Sequence, residues 1–155
     1  MSVCSERHGG EIHAHCVMTN RFHLLLHCPE GGLSEFMHDL SASYARHANA
    51  QKGTDGPIFR GRFRSLVIDS DRHLAGVGRY IHRNPKDLPG VVDLAGYRWS
   101  SLQYYAGRRP RPGWLTTSVL TAGHATPDGH VRFVARPPQP ALSLGWGVAT
   151  APAGG

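Results

Sequence analysis

Two mostly apolar runs stand near the start of the chain. They are Ile12-His13-Ala14-His15-Cys16-Val17-Met18 and Arg21-Phe22-His23-Leu24-Leu25-Leu26-His27-Cys28, and the polar pair Thr19-Asn20 lies between them. Such runs about a short polar link read as a β-hairpin. A two-residue loop sets Cys16 across from His23 and Met18 across from Arg21. Arg21 and His23 then share one face, while His13 and His15 share the other with Phe22 and Leu24. A loop of odd length reverses that pairing. Beyond the turn at residues 29–32, Leu33, Phe36, Met37, Leu40 and Tyr44 keep the 3.6-residue period of a helix of roughly four turns. After a loop over 52–57, residues 58–69 read as extended. That puts Arg60, Arg62 and Arg64 on one side and Phe59 and Phe63 on the other. Alternate arginines make either a backbone-phosphate track or a strand edge protected by charge.

A second helix is predicted over 71–84. Leu74, Val77 and Ile81 form its apolar stripe, Ser70 or Asp71 can cap its start, and Pro85 forbids its continuation. Tyr80 and Asn84, at i and i+4, bring a phenol and a carboxamide onto one face beside Arg79 and Arg83. A phenol among cations at a helix end suits phosphate handling. Its plain alternative is an amphipathic core residue with the hydroxyl at the rim. Further on, Val91-Val92-Asp93-Leu94 can cover a sheet edge. The aromatics of 97–105 can stack on unpaired bases or pack on the sheet, with Ser100 or Ser101 starting a short helix. Residues 108–112 are a basic, proline-stiffened strip. From Thr121 onward Gly, Pro, Ala and Thr prevail without periodicity, which reads as linker or disorder.

The 155 residues make one domain's worth of chain, and the net charge of +6 favours a polyanionic partner, above all nucleic acid. Cys4, Cys16 and Cys28 are odd in number and lack CxxC spacing, against a disulfide framework or zinc ribbon and in keeping with a reducing cytoplasm. No basic-then-apolar leader opens the chain and no apolar run reaches the roughly 18 residues of a membrane span. The expected location is cytoplasmic, with no membrane partner.

The blocks 13–26, Gly61-Arg62-Phe63-Arg64-Ser65, Arg79-Tyr80-Ile81-His82-Arg83-Asn84-Pro85 and Tyr97-Arg98-Trp99-Ser100-Ser101 resemble, in order and spacing, the single-tyrosine HUH transposases. The likeness is greatest to the REP-associated tyrosine branch with its IS200-like transposase domain. It runs from about Ile12 to Leu120. It implies an α+β, ferredoxin-like fold, an antiparallel sheet with helices on one face. It also implies DNA transposition by cleavage and rejoining of single-stranded DNA at hairpin sites. In that reaction a tyrosine hydroxyl attacks the scissile phosphate, leaving a 5′-phosphotyrosine and a free 3′-hydroxyl, with Mg²⁺ or Mn²⁺ as cofactor. By resemblance Tyr80 matches the nucleophile, and His23 and Asn84 match metal ligands. Arg60, Arg62, Arg64, Arg79 and Arg83 are the expected DNA contacts. The partner is single-stranded or hairpin DNA, engaged by a monomer or a homodimer.

Four points set the chain apart from that pattern. Arg21 occupies the place of the first metal-binding histidine, and a guanidinium has no lone pair to give and repels a cation. Thr19 stands where the family commonly has proline. His13-Ala14-His15 spells the same histidine motif but on the preceding strand. The family's hairpin also follows a strand and a helix, where only the polar residues 1–10 stand here. The sheet is therefore expected to lack the family's first strand and helix. Residues 11–120 would form the transposase-like domain and 121–155 a disordered tail. The competing expectation is a catalytically decayed DNA-binding module, or a relic without function.

Overall fold

The structure, a computed structural model, describes residues 1–59, 61–126 and 128–137. Residues 2–8 form a first helix, α1 (Ser2–His8), and the predicted hairpin follows as β1 (Glu11–Val17) and β2 (Phe22–His27). The loop has the even length expected: the Met18 N–H donates to the Arg21 carbonyl at 2.8 Å, and Cys16 pairs with His23. The ladder slips once. Ile12 faces Leu26 and Ala14 faces Leu25, leaving His13 as the extra residue of a β-bulge. The class is thus α+β, with an antiparallel sheet of two strands among the described residues.

The pleat, shifted by one at the His13 bulge, sends the hairpin's apolar residues to two different cores. Ile12 meets Phe36, Met37 and Cys4, with Leu24 and Leu26 alongside, under α2 (Leu33–Lys52) and α1. Ala14, Cys16 and Leu25 meet Ile81 of α3 (Asp71–Arg83) on the opposite face. The ribbon is therefore covered on both sides. Ile12, Phe36, Ile81 and Leu115 are at most 1% exposed, each worth about 1.5–3 kcal/mol of burial. Gly10 is required where α1 passes into β1, because a Cβ there would stand 2.8 Å from the ring of Phe36.

Helix α3 begins as predicted, with the Ser70 hydroxyl accepting from the His73 N–H. A 3-10 turn over Asn84–Asp87 carries the path on past Arg83, with Pro85 inside it. The outer edge of β1 is covered by two later segments. Val17 N–H donates to the Trp99 carbonyl, Ser101 N–H to His15, and Thr116 N–H to Ile12. Val91–Leu94 does not do this; Val92 is fully exposed and Leu94–Gly96 is a 3-10 turn. The aromatic block packs: the Tyr97 hydroxyl donates to the Val17 carbonyl and the Tyr105 hydroxyl, on α4 (Leu102–Tyr105), to that of His13. Trp99 stays half exposed, with the Arg98 guanidinium 4.5 Å above its ring.

Three sequence expectations are corrected. Residues 1–10 are not featureless: α1 docks on α2 through Cys4, and Arg7 and His8 both pair with Asp39. Residues 61–69 form no strand. Gly61 has φ +92°, and Arg62, Arg64, Ser65, Leu66 and Val67 are all exposed; Phe63 and Ile68 reach the two cores singly, so alternation buries no continuous face. Arg60 lies outside the described residues. The segment from residue 121, expected to be a disordered tail, follows α5 (Ser118–Thr121) and carries α6 (Gly129–Ala135); together the two helices bury Leu120, His130 and Val134 beside α3; the remainder of that stretch, from residue 138, lies outside the described residues.

Candidate functional site

Helical spacing holds Tyr80 and Asn84 on one side of α3, and packing of α3 on the hairpin brings His23 to them. The rings of His23 and Tyr80 meet edge-on, with centroids 5.7 Å apart. His23 is 1% exposed and neither ring nitrogen has a hydrogen-bond partner among the described residues. Burial lowers its pKa to about 4; the charge of Arg21 adds to that, and the Asn84 carboxamide partly offsets it. Asn84 donates from Nδ2 to the Tyr80 carbonyl at 3.2 Å, and its Oδ1 is the atom that can act on the His23 ring. Tyr80 itself is 42% exposed and opens onto a groove of about 900 Å³ between β2, α3 and residues 63–71. The result is an accessible phenol beside a neutral imidazole and a carboxamide, with the charge of Arg21 acting on the imidazole. The imidazole is a proton acceptor by type, and the guanidinium suits an anionic phosphate.

A divalent metal fits this centre poorly. His23 and the Asn84 carbonyl oxygen would hold it as two neutral ligands. The Arg21 charge that disfavours a proton on His23 disfavours a dication there too. What chemistry the centre has must rest on Tyr80, His23 and Arg21.

The expected DNA contacts divide. Arg62 and Arg64 are exposed. Arg79 and Arg83 instead turn to the C-terminal end of α6. Arg83 donates to the carbonyls of Val134, Ala135 and Arg136 at 2.7–3.1 Å. Arg79, 7% exposed, donates to the Arg136 carbonyl and lies 5.0 Å over the Phe133 ring. Cations at a helix C-terminus complement its dipole and its unpaired carbonyls.

What positions Tyr80 was not legible in the sequence. His82, two residues on, is fully buried, with Nε2 2.7 Å from Ser101 Oγ and Nδ1 2.9 Å from His130 Nε2. The Ser101 hydroxyl also accepts the His15 N–H at 2.8 Å. The Leu120 backbone partly offsets the lowering of the His130 pKa. The Ser101 hydroxyl also donates to the His15 carbonyl at 3.2 Å, so His82 is held between Ser101 and His130 by a chain of two short contacts. Burial pushes both histidines down, to about 4 for His130, so the chain is neutral. It ties α3 to the strand opposite His23. The one sequence signal was the Trp-Ser-Ser block, whose second serine is the bridging hydroxyl.

No protein-family model, curated protein or solved structure matches the chain.

Proposed function

We propose that this chain is a transposase-like protein that binds single-stranded or hairpin DNA, in which tyrosine-mediated cleavage is impaired. The observation that carries the reading is the meeting of Tyr80, His23 and Asn84, which the resemblance singles out from two distant blocks, around an accessible phenol. In the implied reaction the Tyr80 oxygen bonds to phosphorus, the 3′-oxygen leaves, and the phenolic proton passes to solvent or to the leaving oxygen. A phenol ionises near pH 10, so the step needs a cation close by. The nearest cation in the centre, Arg21, acts on His23 and can grip a phosphate but cannot coordinate and polarise it as a metal does, and this favours binding over turnover.

The test uses labelled single-stranded hairpin DNA from the gene's flanks with magnesium or manganese, and Tyr80→Phe as control. Retarded DNA without a covalent adduct is the expected result. An adduct that vanishes in Tyr80→Phe would show an active nucleophile and overturn the impairment. Absence of both adduct and retardation would overturn DNA binding itself.

A further inference from the structure

At the far end of the groove from the Tyr80 centre, the open end of the hairpin gathers three groups that no DNA reading uses. Glu11 begins β1 and pairs directly across from His27, the last residue of β2. Glu11 Oε2 stands 3.5 Å from His27 Nδ1 and 3.8 Å from His13 Nε2. The three donor atoms all lie within 4.8 Å of one another. The bulge explains why His13 joins them: an extra residue in one strand re-aims its side chain.

We propose that Glu11, His13 and His27 form a binding site for a divalent transition metal of the zinc class. Two imidazoles and one carboxylate are a donor set such ions take, with a fourth position left open. Tetrahedral bonds of about 2.0–2.1 Å put neighbouring ligand atoms about 3.3 Å apart. Two of the separations are already within half an ångström of that. Closing the third is left to Glu11 and His27, whose side chains are 52% and 60% exposed and free to turn. His13 is the fixed member, its side chain 5% exposed.

Its orientation is set from behind. His13 Nδ1 donates to the Thr116 carbonyl at 3.1 Å, so the lone pair sits on Nε2, the atom that faces Glu11. Metal-binding histidines are characteristically held by such a backbone acceptor. Burial keeps the His13 ring neutral near pH 7, leaving that lone pair available. The metal would clamp the start of β1 to the end of β2 where the ladder otherwise finishes. The site shares no residue with Arg21, His23, Tyr80 or Asn84, so it stands or falls apart from the DNA reading.

The experiment is isothermal titration of untagged, chelator-treated full-length protein with zinc, repeated on His27→Ala and Glu11→Gln. Both are exposed positions, where substitution spares the core. His38→Ala, at an exposed histidine on α2, measures adventitious binding by surface imidazoles. The expected result is one zinc per chain, weakened at least about tenfold in each ligand variant and unchanged in His38→Ala. Zinc should also raise the melting temperature of the unaltered protein and not that of His27→Ala. No zinc bound, or affinity unchanged in either ligand variant, would overturn the site.

Discussion

His23 offers the sharpest test of how the candidate centre is built. A buried imidazole with neither nitrogen satisfied costs stability, on the order of 1–3 kcal/mol. His23→Leu replaces it with an apolar side chain of similar size that needs no partner, so it should stabilise the protein by about 1–2 kcal/mol at pH 7. The pH dependence gives a second, independent magnitude. His23 has its pKa lowered from 6.5 to about 4 in the folded chain. Between those values the unfolded chain holds a proton that the folded chain does not. Stability is therefore intact above pH 6.5 and falls as the pH drops toward 4. For this one group the loss is only a few tenths of a kcal/mol at pH 7 and about 2 kcal/mol at pH 5. His23→Leu abolishes that share, so its advantage over the unaltered protein should grow by about 2 kcal/mol from pH 7 to pH 5. Urea denaturation at both values, with equal m-values, measures the difference directly. A variant that is less stable at pH 7, or whose advantage is the same at pH 5, would refute the account of His23 as a neutral, unpartnered ring. The stabilised variant should also lose DNA affinity if the centre contacts phosphate, the usual exchange of stability for function.

Arg21→His supplies a third ligand beside His23 and Asn84 and removes the repelling charge, so manganese affinity should rise on calorimetric titration; no gain refutes the assignment of Arg21 as the obstacle. Gly10→Ala drives a methyl into the Phe36 ring and should cost about 1–3 kcal/mol in thermal unfolding, since that ring is wholly buried. Arg83→Ala leaves the Val134 and Ala135 carbonyls without their arginine donor, Arg79 still reaching that of Arg136; proteolysis should then cut near residues 129–136 first, and an unchanged digestion pattern would count against the capping role. Arg62→Ala and Arg64→Ala should each flatten the salt dependence of DNA binding by about one unit in the logarithmic slope while leaving the fold intact.

Local chemistry alone determined a good deal here. The Thr19-Asn20 loop, the hairpin register at Cys16 and His23, the Ser70 cap and the sharing of one side of α3 by Tyr80 and Asn84 all follow from neighbours a few residues apart, and all are present. The tertiary structure decided what depends on distant partners. The strand predicted from alternating arginines is absent because alternation specifies a strand only where one face is buried, and residues 61–69 reach the cores only through Phe63 and Ile68. Arg79 and Arg83 look like DNA contacts until α6, folded from a stretch without strong periodicity, presents its carbonyls to them. The His82–His130 pair joins residues far apart in the chain, and burial in a low-dielectric core makes both rings neutral, which sequence spacing cannot register. The bulge at His13 is of the same kind: a single slipped pairing, invisible in the residue pattern, turns one histidine of a repeated motif toward Glu11 and His27.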